Sequence, residues 1–266
     1  MTLKVRLSHN PTLRRTAVGI AMVAACASAS AALAPFTFNP GASALTGASF
    51  TGDNIVISDY SKVTNDKAGN FTETGFLAVS AIQLAGVTFT PTGLNSTYGM
   101  YIQFDGKGTT TVGDPLLVPT LGKFTELSYT LFGYNGTASF GFSGNTPTET
   151  ASGEVALASG TLVSGSVVSV PTGDGLTFTP SAAAKLNFVV TPGQEKFFAS
   201  PSPFYNMAFA AFTNTTTQVE AFDGGFRIRQ GGGALNFASA VPEPESYALM
   251  LAGLAAVGFV SRRLRT

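Results

Sequence analysis

Carboxylates and carboxamides are the chemistry-bearing side chains of the central part of this sequence. Cleavage of a glycosidic bond uses two carboxyl groups roughly 5 to 9.5 Å apart, and the pairs on offer are Asp53 with Asp59 and Glu73 with Asp105. Nothing in their spacing forces either pair together, and scattered carboxylates on a protein surface are ordinarily solvated charges. The same oxygens suit a hard cation, with Asp53, Asn54 and Asp59 as the calcium candidates. No EF-hand or RTX-type loop frames them, and Asp and Asn also serve turns through backbone hydrogen bonds. The expectation is a non-enzymatic chain with no required cofactor, calcium being the one ion its side chains suit.

Aromatic residues offer a second chemistry. There are 22 Phe and 7 Tyr but no Trp, and sugar-binding faces stack exposed Trp or Tyr rings on a pyranose. Most Phe are therefore assigned to the core. Tyr98 and Tyr101, beside Asn95, form the expected glycan contact.

Sulfur and imidazole chemistry is confined to the N-terminus. The only Cys, Cys26, and the only His, His9, share a segment that runs from Lys4, Arg6, Arg14 and Arg15 through an apolar stretch to the small residues Ala29, Ser30 and Ala31. That order is a secretory signal peptide over residues 1–31. Val23-Ala24-Ala25-Cys26 loosely follows a lipoprotein cleavage box, which would place a lipid on Cys26. With the signal removed, the exported part has no thiol nucleophile, disulfide or imidazole base, so stability rests on an ordinary packed core. Residues 32–241 carry eight Lys and Arg against seven Asp and six Glu, a net charge of −5. Such a domain has no basic patch for nucleic acid.

The elements that must position these groups read as strands. Leu127, Tyr129 and Leu131 alternate with Glu126, Ser128 and Thr130, the period of a half-buried strand. Residues 185–190 repeat the pattern, and in Phe226-Arg227-Ile228-Arg229 both arginines fall on one face. Short runs of the same kind recur from residue 54 to 222, and Asp105-Gly106-Lys107-Gly108, Tyr134-Asn135-Gly136, Ser143-Gly144-Asn145 and Thr172-Gly173-Asp174-Gly175 read as turns between them. The fold class is all-β, a single antiparallel β-sandwich or jelly-roll-like domain over residues 32–230. One helical turn is allowed at residues 181–185. Gly231-Gly232-Gly233 opens a tether over residues 231–240, with Leu235 and Phe237 equally compatible with a last strand.

The chain ends in VPEPESYALMLAGLAAVGFVSRRLRT. Its apolar run, residues 247–260, spans roughly 21 Å as a helix against a hydrocarbon core of about 30 Å, a short transmembrane helix rather than a full span. Arg262, Arg263 and Arg265 follow at once, and positive flanks stay cytoplasmic. Val241-Pro242-Glu243-Pro244, this helix and the basic stop together resemble the PEP-CTERM sorting signal of Gram-negative exopolysaccharide producers. The resemblance implies processing near the Pro-Glu-Pro by an exosortase after transient anchoring in the inner membrane. Further resemblance, carried by FTFNPG at 36–41, FTGDNIVISDY at 50–60, FTETGFL at 71–77 and YGMY at 98–101, is to the flocculation-associated branch of PEP-CTERM proteins. It implies a protein of the cell surface or extracellular matrix that helps cells aggregate with their exopolysaccharide, and it brings no catalytic residues. The alternatives are a secreted carbohydrate-active enzyme with paired carboxylates, and a surface protein that self-associates into fibres through an exposed strand edge.

Overall fold

The computed structural model describes residues 33–66 and 68–238. The signal segment with Cys26, the sorting tail with Val241, Pro242, Glu243 and Pro244, the apolar run 247–260, and Arg262, Arg263 and Arg265 lie outside the described residues.

Eight long antiparallel strands make up the body: β1 (Asn54–Asn65), β2 (Asn70–Leu84), β3 (Tyr98–Thr110), β4 (Thr120–Asn135), β5 (Val155–Pro171), β6 (Phe178–Asn187), β7 (Met207–Thr213) and β8 (Gly225–Ala238). Each pairs with the next in sequence, and β8 pairs back onto β1, Gly233 facing Ile57 and Phe226 facing Val63. The result is a closed up-and-down barrel, not the sandwich or jelly roll expected. Alternation is the same in both architectures. What separates them is whether the last strand finds the first, and here it does, which removes the long free edges of an open sheet.

Several expected boundaries fall inside strands for one reason: inward positions are not all apolar. In β1 the inward residues are Ile55, Ile57, Asp59, Ser61 and Val63, so the apolar signal stops at Ile57 while the strand continues to Asn65. Asp105-Gly106-Lys107-Gly108, expected as a turn, lies within β3. Its glycines make room for rings, since a Cβ on Gly108 would sit 2.3 Å from Phe71 Cε1. Residues 181–185, allowed one helical turn, are part of β6, and no α-helix occurs among the described residues. Gly231-Gly232-Gly233 and Leu235 to Phe237 belong to β8, so the last-strand alternative to a tether is the one realised as far as Ala238. Gly136, Gly144, Gly173 and Gly175 do have positive φ and make the turns expected of them.

The two barrel ends differ. Connections 85–97, 136–154 and 188–206, together with the segment leading into β1 and the exit of β8, gather at one end. There Phe36–Phe38, Phe50–Gly52 and Phe198–Ser200 form a small three-stranded sheet. The rings of Phe36, Phe38, Phe197, Phe198, Phe188 and Phe237 plug the lumen from that side. Asp66, Ala68 and Gly69 with loops 111–119, 172–177 and 214–224 close the other end over a smaller cluster, Val63, Phe71, Phe124, Phe178, Phe226 and Ile228. Val112, Leu117 and Leu176 of these loops are exposed.

On the outer wall, a hairpin of Phe140–Ser143 and Thr146–Glu149 lies across β1, β2, β3 and β8. Phe140 packs on Tyr60, Phe76 and Tyr101. Phe142 lies 5.7 Å from the guanidinium carbons of both Arg227 and Arg229. The expected single face for these two arginines is the outer one, where both also reach Glu220.

Candidate functional site

A cavity of about 420 Å³ runs along the barrel lumen from mid-barrel to the loop end, where residues 110–115 and Gly69 border it. Eight strands are the size at which an interior either fills with side chains or holds one small ligand, and this lumen is not filled. Its wall is chiefly apolar, with Leu77, Ile102, Phe104, Leu127, Leu186 and Leu235 contributing. Ala182, Ala184 and Ala210, on the adjacent strands β6 and β7, supply short side chains to the lining. Among the described residues that line it there is no Lys, Arg or His.

Polar side chains interrupt the apolar wall, among them Asp59, Glu73, Tyr129 and Asn214. Asp59 is 3% exposed, and its Oδ1 has no hydrogen-bond partner. Glu73 lines the same space from β2, and the Ser61 hydroxyl donates to its Oε1 at 3.1 Å. Burial pushes the Asp59 carboxyl well above the usual carboxylate range; the nearby Glu73 charge adds to this and the Ser61 hydrogen bond opposes it. Burial likewise moves Glu73 from 4.5 to about 7, again opposed by Ser61. Two like charges in a poorly hydrated space are unfavourable, so one or both groups hold a proton near neutrality. Tyr129 donates its hydroxyl to the Asn187 carbonyl at 2.8 Å, and burial raises its pKa. Asn214, 3% exposed at the loop end, leaves Oδ1 unpartnered while its Nδ2 faces the Pro180 carbonyl at 3.4 Å.

The expected carboxylate pairs are not the ones formed. Asp53 sits at the plugged end, its Oδ2 accepting from the Ala85 amide at 2.6 Å, and six residues of extended chain, roughly 20 Å, separate it from Asp59. Asp105 is exposed on the outer wall, whereas Glu73 lines the lumen. The pair brought together is Asp59 with Glu73. Its signal lies in the strand phase, with Asp59 in step with Ile55 and Ile57 and Glu73 in step with Phe71 and Leu77, and apolar alternation alone does not register it. The calcium candidates diverge too: Asn54 Nδ2 donates to Gln83 Oε1 at 2.7 Å, apart from the lumen. Among the described residues no three acidic, His or Cys groups converge as a metal cluster.

The expected glycan contact has no face to offer. Tyr98 is 0% exposed and Tyr101 3%. Tyr98 points into the plugged end under Gly47, and Tyr101 is covered by the outer hairpin and stacked on Phe132 at 5.3 Å. Asn95 takes a positive φ and donates to the Val79 carbonyl at 3.1 Å, a turn role. Tyr98→Phe is expected to leave retention on the cells' own polysaccharide unchanged. It removes a buried hydroxyl without a partner, so the thermal midpoint is expected to hold or rise slightly. Lost retention with an unchanged midpoint would restore the glycan role.

Comparison with known proteins identifies one region. Residues 240–265 match the model described as the PEP-CTERM protein-sorting motif. No curated protein and no solved structure gives a significant match to the chain. The motif indicates export, transient membrane anchoring and processing by an exosortase.

Proposed function

From a sorting motif at residues 240–265 and a closed barrel with an unfilled lumen, we propose a non-enzymatic extracellular binding protein of the cell surface or matrix. The tail is clipped by an exosortase, the lumen holds one small apolar molecule, and the polar outer wall associates with exopolysaccharide and promotes flocculation. The lumen is the observation that carries the binding role: a chiefly apolar space of about 420 Å³ is within the range of small-molecule sites.

The outer wall supports the exopolysaccharide role through many weak polar contacts. Its strands present threonine pairs such as Thr64 with Thr72, oxygens 2.6 Å apart, and multiple copies on a polymer convert weak contacts into avidity. The resemblance over residues 36–110 supports flocculation in particular. Hydrolysis of a polymer by Asp59 and Glu73 fits less well, because the aromatic plug leaves a glycan chain no path through the lumen. Fibre formation through a strand edge fits less well also, because the barrel is closed.

The test is native mass spectrometry of the chain recovered from a polysaccharide-producing host and from its exosortase-deficient derivative. Tail removal only where the exosortase is present, with one non-covalent small molecule per chain, is the expected result. An intact tail in both hosts would overturn the processing, and unchanged flocculation after deletion of the gene would overturn the aggregation role. A chain without adduct that also fails to take up an apolar fluorophore would remove the binding role.

A further inference from the structure

A purely apolar cargo gives no reason for carboxyl groups inside the barrel, yet two adjacent strands place them there in register. Val63 of β1 faces Glu73 of β2 and Ser61 faces Gly75, so Asp59, Ser61 and Glu73 form one polar stripe along that seam. Gly75 leaves the space beside Ser61 open, since a Cβ there would lie 2.7 Å from Ser61 Cβ. The Ser61 hydroxyl reaches diagonally to Glu73. Asp59 Oδ1 stays without a partner in this stripe, and Asn214 Oδ1 stays without one nearer the loop end. Buried acceptors of this kind are costly when unmatched and gain most from a donor that arrives with a ligand.

The wall dictates what that donor is. No cationic side chain lines the lumen among the described residues, so an anionic head group would meet Asp59 and Glu73 with nothing to offset the repulsion. A neutral hydroxyl brings one donor. An ammonium group brings three donors and a charge, and charge-assisted hydrogen bonds are the stronger kind.

Building on the container reading above, we infer that the lumen binds a molecule with a compact apolar body and a protonated amine head, the ammonium seated against Asp59 and Glu73. About a dozen heavy atoms fit, since the cavity of about 420 Å³ equals the liquid volume of roughly fourteen waters. Binding at acidic pH displaces one proton from the carboxyl pair to solvent. At alkaline pH the pair is already charged, and the ammonium enters without that exchange. Affinity for an amine therefore rises with pH. Of the titratable groups around the pair, Tyr129 from β4 is committed to the Asn187 carbonyl, Asp66 and Asp114 lie at the loop end of the cavity, and Asp105 and Lys107 of β3 share a second pocket with Glu73, where Lys107 is paired with Glu126 at 3.0 Å. Lys185 of β6 is drawn over Phe209, and Arg227 and Arg229 of β8 are engaged with Glu220 on the outer wall.

The experiment is calorimetric titration of the processed chain with octylamine, 1-octanol and octanoate, which share one apolar body. At pH 8 octylamine is expected to bind one-to-one about tenfold tighter than 1-octanol, with octanoate weakest, and the preference is expected to collapse at pH 5. Asp59→Asn combined with Glu73→Gln is expected to abolish the amine preference while 1-octanol still binds, which shows the variant folded. Equal binding of octylamine and 1-octanol, or a preference for octanoate, overturns the head-group inference and leaves the container reading standing. Failure of all three to bind a cooperatively folding chain overturns both.

Discussion

Raising the pH from about 4.5 to just above 7 is expected to destabilise the folded barrel by about 3 kcal/mol through the coupled carboxyls of Asp59 and Glu73. The Glu73 carboxyl moves from 4.5 to about 7 on folding, and the raised Asp59 acts in the same direction. Across that window the folded chain holds more protons than the unfolded one, so stability falls as pH rises and levels off once the folded pair has lost its proton. The cause is burial of two carboxyls in a lumen without a cation, the reverse of the ordinary salt-bridged carboxylate that fails in acid. The check is the unfolding midpoint as a function of pH for the wild type, Asp59→Asn, Glu73→Gln and the double variant. Each single variant flattens the slope and the double variant removes most of it. A wild-type midpoint that climbs from pH 4.5 to 7, unaffected by either change, would show that the pair is solvated rather than buried. A lumen-bound amine opposes the effect, so the slope is steepest in the ligand-free chain.

Phe38→Ala is expected to cost about 3 to 5 kcal/mol, a large part of the 5 to 15 kcal/mol typical of a domain. Phe38 is 0% exposed, and its ring is centred 4.7 Å from Phe36, 4.9 Å from Phe197 and 5.3 Å from Phe198. Phe50, Phe204 and Phe237 complete its surroundings. Truncation leaves a cavity that none of these rings, held in three different segments, is free to fill. It also loosens the plug, so the variant is expected to lose lumen ligand faster than the wild type. Phe209→Ala is the matched control: it lies on the outer wall, 36% exposed beneath Lys185, and should cost below about 1 kcal/mol. Chemical denaturation of the two variants side by side measures the contrast. Equal costs would mean that the plug is not part of the cooperative core.

β1 shows how much of this was legible. Its first half is announced by Asn54-Ile55-Val56-Ile57 and its second half is hidden, because Asp59 and Ser61 occupy inward positions where the strand pattern calls for an apolar residue. β3 shows the same with glycine, where Gly106 and Gly108 imitate a turn but accommodate the rings of Phe124 and Phe71. In both strands the lumen departs from a plain hydrophobic core, and there the apolar pattern ends before the strand does and leaves the site unmarked. Tyr98 and Tyr101 fail differently. Three residues apart on one strand, they point to opposite faces, and the cover that buries them comes from Gly47 and from Phe140, both remote in the chain.

All-β character, the turns at Gly136, Gly144 and Gly173, the outward pairing of Arg227 with Arg229, and the sorting motif at residues 240–265 were determined by the sequence alone. Each depends on neighbours within a few residues, through side-chain alternation, tolerance of positive φ, or a linear signal. The barrel, its lumen and the Asp59–Glu73 pair were decided only by tertiary structure. The lumen exists because β8 closes on β1, placing Gly231 opposite Asp59 across most of the chain's length. No local pattern encodes that contact, since inward alternation is satisfied as well by a second sheet as by a closed wall.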